Sequence, residues 1–192
     1  MKIKVRPLKE EDAYTSVKWR NIPEIWEYTK FDSSKKVTLD NELDWIRKVT
    51  QDKTCRRFSI LVDEKYVGNI YLINIQEKTA EFHIFIGEKE YWGKGVAREA
   101  SKQIIEFAQN DLHLEKISLK VNRCNKAALA LYHGIDFKKV GEEDEFIEME
   151  LSFPMYRGLP SANNENLPVA NDRGAQDPVF ADLSKAFKRA DH

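Results

Sequence analysis

The stretch TAEFHIFIGEKEYWGKGVA at residues 79–97, continued by REASKQIIEFAQN at 98–110, decides how the chain folds. Residues 79–87 alternate. Phe82, Ile84 and Ile86 fall on one face and Glu81, His83 and Phe85 on the other, the period of a half-buried strand. Gly93 and Gly95 follow, separated by Lys94 alone. From about 94 to 110 the residues Ala97, Ala100, Ile104, Ile105, Phe107 and Ala108 recur at helical spacing. Strand, glycine turn and helix in that order leave unpaired backbone N–H groups at the positive end of a helix, a place for phosphate.

Working outward, two more strands precede this one. Residues 57–63 and 67–75 are apolar and β-branched, and the tight connection at 63–66 makes them a hairpin. A turn at 76–79 joins them to the opening strand, giving a three-stranded antiparallel meander. Further upstream, residues 2–6 form a strand that Pro7 ends, and Glu10, Glu11 and Asp12 supply the acidic first turn of a helix carrying Ala13, Val17 and Trp19. That helix breaks before Pro23, because the residue preceding a proline leaves the α region. After a short turn at 24–28 and a polar loop at 30–36, Thr38 is placed to cap a helix running to about Thr50. Its apolar side is Leu39, Leu43, Trp45, Ile46 and Val49.

Downstream, residues 114–121 alternate as a strand, 125–133 form a short helix, and 136–140 with 146–153 form a final strand pair. The order predicts an α/β domain with a mixed, mostly antiparallel sheet flanked by helices. Past Phe153 the composition changes. Pro154, Pro160, Pro168 and Pro178 punctuate a stretch rich in Asn, Ala, Asp and Gly, which reads as a linker over 154–177. Val179, Phe180, Leu183 and Phe187 then recur at helical spacing. A helix docked on its own domain, a partner-binding segment and an appended tail all fit that pattern. The chain thus divides into a domain at 1–153 and a tail at 154–192.

The totals narrow the class. A chain of 192 residues, 42% hydrophobic and 33% charged, makes one soluble globular domain with a real core. A net charge of −1 gives no global reason to bind nucleic acid or an anionic membrane. No apolar run approaches the roughly 20 residues of a membrane helix. The opening residues 1–7 lack the apolar core of a signal peptide. Cys55 and Cys124 lie far apart and form no metal-binding spacing, so no metal is expected. Free thiols in a reducing cytoplasm fit this usage.

Two motifs then point to a family. Residues 90–97, EYWGKGVA, resemble the pyrophosphate loop of the GNAT N-acetyltransferases, Arg/Gln-x-x-Gly-x-Gly/Ala, with Gly93 and Gly95 at both glycine positions and Glu90 at the Arg/Gln position. Asn125, Ala128 and Tyr132 resemble the family's Asn-x-x-Ala-x-x-x-Tyr helix, which lies beside the cofactor thioester. Asp136 replaces the usual glycine of the segment that follows, which predicts a changed turn there. The resemblance covers about residues 2–153. It is strongest to the branch holding ribosomal-protein and spermidine acetyltransferases, and residues 19–24 also resemble the amino-sugar-nucleotide acetyltransferases.

The resemblance implies a single GNAT-like domain that uses acetyl-CoA. Its pyrophosphate would sit on the N–H groups of Trp92, Gly93, Lys94, Gly95, Val96 and Ala97. Its arm would pair like an extra strand with Phe85, Ile86 and Gly87, and an N–H near Ile86 would meet the oxyanion. Tyr132, a phenol, is the expected acid for the leaving thiolate. Glu81 is the expected base for the amine, directly or through water, with His83 on the same face; both are alternatively plain sheet residues. Asn125 either bonds the cofactor arm or caps its helix. The acceptor pocket is expected from the first helices. There Trp26 and Tyr28, with Trp19 and Phe31, are aromatic, and Glu24, Glu27 and Asp32 are acidic. The expected partner is a small-molecule amine, an amino-sugar nucleotide or a polyamine, ahead of a protein N-terminus. A non-catalytic CoA-binding module is the rival, and a homodimer is compatible with either.

Overall fold

The computed structural model describes residues 1–154. Seven strands form one sheet: β1 Ile3–Pro7, β2 Arg56–Val62, β3 Lys65–Gln76, β4 Thr79–Ile86, β5 Lys116–Asn122, β6 Lys138–Glu143 and β7 Phe146–Ser152. Their spatial order is β1-β2-β3-β4-β5-β7-β6. Every neighbouring pair is antiparallel except β4 with β5. The helices are α1 Ala13–Arg20, α2 Pro23–Trp26, α3 Leu39–Thr50, α4 Val96–Asn110 and α5 Lys126–His133. The mixed, mostly antiparallel sheet expected from the element order is the sheet observed. The linker expected at 154–177 and the helical stripe at 178–189 lie outside the described residues, Pro154 excepted.

Local chemistry explains most boundaries. Thr38 caps α3 as its position suggests, its hydroxyl accepting from the Asn41 N–H while the Asn41 side chain returns to the Thr38 N–H. The β2–β3 turn places Asp63 and Glu64 at φ 46° and 68°, the left-handed pair that matches strand twist in a two-residue hairpin. Among the ends that differ from the sequence reading, three have a clear local form. The acidic residues Glu10–Asp12 form a one-turn 3-10 helix rather than the start of α1. The long helix begins at Val96, not 94, because Gly93 and Gly95 sit at φ 70° and 80° and cannot continue a right-handed turn. The penultimate strand begins at Lys138, because Asp136 takes φ 70° and reverses the chain first.

The core lies between one face of the sheet and α4. Phe58, Ile60, Ile70, Leu72 and Phe82 meet Ala100, Ile104, Phe107 and Ala108, all buried. Phe58 and Phe107 meet edge to face with ring centroids 5.4 Å apart, and each such buried side chain contributes roughly 1.5–3 kcal/mol. The other sheet face carries α1, α2 and α3. Trp19 of α1, 2% exposed, lies flat against Gly87, where a Cβ would stand 2.0 Å from the indole. This contact fixes how closely α1 approaches the end of β4.

Candidate active site

The site begins where the one parallel pair fails. β4 and β5 are in register only at Thr79 with Lys116, Ala80 with Ile117 and Glu81 with Ser118. Beyond Glu81 the strands part, although β4 continues to Ile86 and β5 to Asn122. β5 keeps its pairing with β7 along its whole length, so the opening belongs to the β4 side. The Gly87 N–H donates to the Val67 carbonyl at 2.8 Å, across β3. Antiparallel ladders alternate, so the backbone groups of Ile86 and Ile84 point the other way, into the opening. There the Ile86 carbonyl accepts the indole N–H of Trp92 at 2.8 Å. Of the three residues expected to pair with a cofactor arm, Ile86 faces the opening. The N–H of Gly87 is spent on β3, and the Phe85 ring packs against Trp19 and Trp26.

The glycine turn closes one side of the opening. A Cβ on Gly93 or Gly95 would meet no heavy atom within 4 Å, so both positions are open as well as left-handed. The first N–H groups of α4 have no partner inside the helix, and the positive end of the helix dipole coincides with them. Of the six N–H groups expected to hold a pyrophosphate, those of Trp92 and Lys94 donate to the Lys89 and Tyr91 carbonyls at 3.0 and 3.4 Å, so the group fits on the donors of Gly93, Gly95, Val96 and Ala97, beside glycine backbone and open space. Lys94 extends over the Tyr91 ring at 5.8 Å, and Trp92 is 44% exposed. Glu90 turns outward to Lys65 at 2.6 Å, so a carboxylate at that position is tied away from the turn. Arg98 of α4 donates to the Gly134 carbonyl at 2.9 Å and fastens the turn's helix to the end of α5.

Helix α5 supplies Tyr132 and Asn125. The Asn125 side chain accepts from the Ala128 N–H at 3.0 Å, so its oxygen caps the helix and its amide NH2 remains for a ligand. Tyr132 is buried, edge to face with Phe82 at 6.3 Å, beside the first residue past the β4–β5 pairing. Its hydroxyl has no hydrogen-bond partner among the described residues. Burial, with Tyr71 adding to it, pushes its pKa above that of an ordinary phenol, so the group stays protonated. Asp136, just beyond α5, takes the left-handed conformation that glycine favours, and the chain still turns there.

Glu81 and His83 share a face, as their alternation required. The Glu81 carboxylate accepts from Asn74 Nδ2 at 2.9 Å and lies 3.5 Å from His83 Nε2. Burial lowers the His83 pKa against the opposing pull of Glu81, favouring a neutral ring. Trp26 is buried, its indole N–H donating to the Trp19 carbonyl at 2.8 Å, so that N–H is not available to a ligand. Tyr28 stands half-buried in the turn after α2. Of the acids expected to receive a cationic amine, Glu24 is paired with Lys89, and Asp32 is bonded to Ser34 and near Lys35.

Sequence reading gave no site role to Arg57, Tyr71, Trp45 and Arg20, which stack into one cluster beside Trp26 and His83. Arg57, Tyr71 and His83 lie directly opposite one another on β2, β3 and β4. Counting back from the tight hairpin turns does not align them, because the ladders shift register between Ile60 and Leu61 and between Ile73 and Gln76, and a one-residue slip moves a side chain to the other face. A parallel pair that parts beside a glycine-opened helix defines an acyl-transfer cleft: donors for a phosphate on one side, a protonated phenol and a carboxylate on the other.

The chain matches the acetyltransferase (GNAT) domain family over residues 2–138 and belongs to that family. It is 28% identical over 154 residues to acetyltransferase PseH of Campylobacter jejuni, covering 80% of this chain and 94% of that one. It is 30% identical over 142 residues to spermidine N(1)-acetyltransferase of Escherichia coli, covering 73% and 75%. The crystal structure of spermidine N-acetyltransferase from Vibrio cholerae in complex with CoA and spermine superposes with a TM-score of 0.71 at 26% identity, covering 78% and 95%. The chain is accordingly an acetyl-CoA-dependent N-acetyltransferase. No helix among the described residues is long and apolar enough to cross a membrane.

Proposed function

We propose that this chain transfers acetyl from acetyl-CoA to a primary amine by direct attack of the amine on the thioester, and that the acceptor is a small amine, an amino-sugar nucleotide or a polyamine. The observation that carries the reading is the parting of β4 from β5 after Glu81, with Tyr132 at the fork. An alkyl ammonium has a pKa of about 10.4 and must lose a proton before it attacks. Glu81 accepts that proton, directly or through water, and the neutral His83 beside it can relay it. The Ile86 N–H points into the opening and donates to the oxygen that gains charge. Tyr132 holds a proton for the departing sulfur. Asn125 uses its free amide NH2 on the cofactor arm, and Gly93, Gly95, Val96 and Ala97 hold the pyrophosphate.

No covalent acetyl-enzyme is needed. Cys124, the thiol nearest these motifs in sequence, is exposed and its N–H caps back to the Asn122 side chain. The two free cysteines, Cys55 and Cys124, support a reducing cytoplasmic setting. The test is an amine panel followed by CoA release, including free amino sugars, nucleotide-linked amino sugars, spermidine and a peptide N-terminus. Transfer to a small amine is the expected result. Preference for the peptide would overturn the acceptor class, and CoA binding without transfer to any amine would overturn the enzyme reading of this site.

A further inference from the structure

The acceptor face holds a ladder of stacked rings and guanidinium groups. Arg20 lies over Trp26 at 5.1 Å, Phe31 at 5.5 Å and Trp45 at 4.3 Å. Arg57 covers Trp45 at 5.0 Å and Tyr71 at 4.5 Å. Tyr71 stacks on His83 at 5.2 Å, and His83 reaches Glu81. The ladder therefore runs from α1 and α2 across α3 to the expected base, and two cations share one indole.

The two arginines are not equivalent. Arg20 is neutralised by Glu42, itself 2% exposed, with Nε 3.0 Å from the carboxylate that also accepts from Ser16 at 2.6 Å. Arg57 has no carboxylate within ion-pair distance among the described residues, and its buried Nε has no hydrogen-bond partner. Asp52 feels its charge but spends its carboxylate on Thr54 and Cys55. The ring faces of Trp45 and Tyr71 hold the guanidinium plane in place without neutralising it. A polycation would need carboxylates here, and within the ladder Glu42 is spent on Arg20 and Glu81 is already set against Asn74 and His83. A fixed, uncompensated guanidinium is instead suited to a phosphate, which it binds through two parallel N–H donors.

We propose that Arg57 determines acceptor specificity by binding a phosphate group carried by the amine substrate, so that phosphate-bearing amines are selected over polyamines. The inference rests on this face being the acceptor side of the cleft. A sugar phosphate and a nucleotide-linked sugar offer the same chemistry, and the assay separates them.

The experiment compares kcat/KM for glucosamine, glucosamine 6-phosphate, a nucleoside-diphosphate-linked amino sugar and spermidine, using wild type, Arg57→Gln and Arg57→Lys at saturating acetyl-CoA. Wild type should prefer at least one phosphate-bearing amine to glucosamine by tenfold or more. Arg57→Gln should collapse that ratio toward one through KM, and Arg57→Lys should restore part of it. Preference for glucosamine 6-phosphate identifies a sugar phosphate, and preference confined to the other assigns the nucleotide form. Preference for spermidine, or an equal loss on every acceptor in Arg57→Gln, overturns the proposal. If no amine is acetylated, the transfer reading has failed, and calorimetry on the CoA-saturated protein still decides Arg57. Tighter binding of glucosamine 6-phosphate than of glucosamine, lost in Arg57→Gln, supports it, and equal binding overturns it.

Discussion

The Tyr71 ring stacks on the His83 imidazole with centroids 5.2 Å apart and planes 14° apart. The two residues are directly opposed on β3 and β4, so the sheet register itself aligns them. The contact covers one face of an imidazole whose edge still reaches Glu81 at 3.5 Å. A histidine held this way favours its neutral form.

His83 should therefore make stability depend on pH. Burial lowers its pKa from the ordinary 6.5, outweighing Glu81. Above 6.5 the ring is neutral folded or unfolded and contributes nothing. As pH falls below 6.5 the unfolded chain takes up this proton first, so the folded state loses stability until the folded pKa is passed. His83→Gln should remove that loss, flattening the melting temperature between pH 7 and 5 relative to wild type. Parallel curves for the two proteins would refute the assignment.

Tyr132 and Glu81 should separate kinetically. Tyr132→Phe should lower kcat about 100-fold, the usual scale for one proton transfer, with the KM for acetyl-CoA and the melting temperature little changed. The hydroxyl makes no hydrogen bond to lose among the described residues. Glu81→Gln should lower kcat/KM by about the same factor. Raising the pH should partly rescue Glu81→Gln, because more of the amine is then already neutral, and should not rescue Tyr132→Phe. An undiminished kcat in Tyr132→Phe would remove the phenol from the mechanism.

How far the sequence carries the reader depends on the range of the interaction. Period-2 alternation at 79–86 placed β4, and Thr38 with Asn41 placed the start of α3, because both signals are local. The strand pair that forms the sheet's outer edge was also legible, though its boundary moved to Lys138 once Asp136 took a left-handed turn. The parting of β4 from β5 was not legible, since it depends on where a crossover helix returns its strand. Nor was the Arg57–Tyr71–His83 row. Each residue there looks like an ordinary strand residue until three chains are laid in register. Trp26 was legible as an aromatic of the first helices, but its burial and its bond to the Trp19 carbonyl are tertiary facts.

Gly87 and Gly95 should respond differently to alanine. At Gly87 a Cβ would sit 2.0 Å from the Trp19 ring, so the indole must move and α1 with it. Overpacking of that kind costs about 1–3 kcal/mol, and Gly87→Ala should lower the melting temperature by several degrees. At Gly95 nothing lies within 4 Å, and the cost is the φ of 80° alone, about 1–2 kcal/mol. Gly95→Ala should raise the KM for acetyl-CoA at least several-fold, while Gly87→Ala shows mainly in stability. The reverse pattern would mean that the glycine turn is not the phosphate cradle.

Asp12 should be the most sensitive polar position. It is 4% exposed and accepts from both Arg6 guanidinium nitrogens at 2.7 and 2.6 Å, from Ser59 at 2.6 Å and from the Lys9 N–H at 2.9 Å. Burial by itself would raise its pKa, but the hydrogen bonds from Arg6, Ser59 and Lys9 outweigh it and hold the carboxyl below 3.8. Its stabilisation is thus fully present above pH 3.8 and is lost as pH falls through the lower folded value. Asp12→Asn keeps the shape, removes the charge and leaves Arg6 without its partner, at a cost of about 3–5 kcal/mol. For a domain of this size that is a fall of roughly 10 °C in melting temperature. The loss should shrink below pH 3.8, where wild type itself surrenders the interaction. A deficit that stays constant from pH 7 to 3 would show that packing, not the buried ion pair, sets the contribution of Asp12.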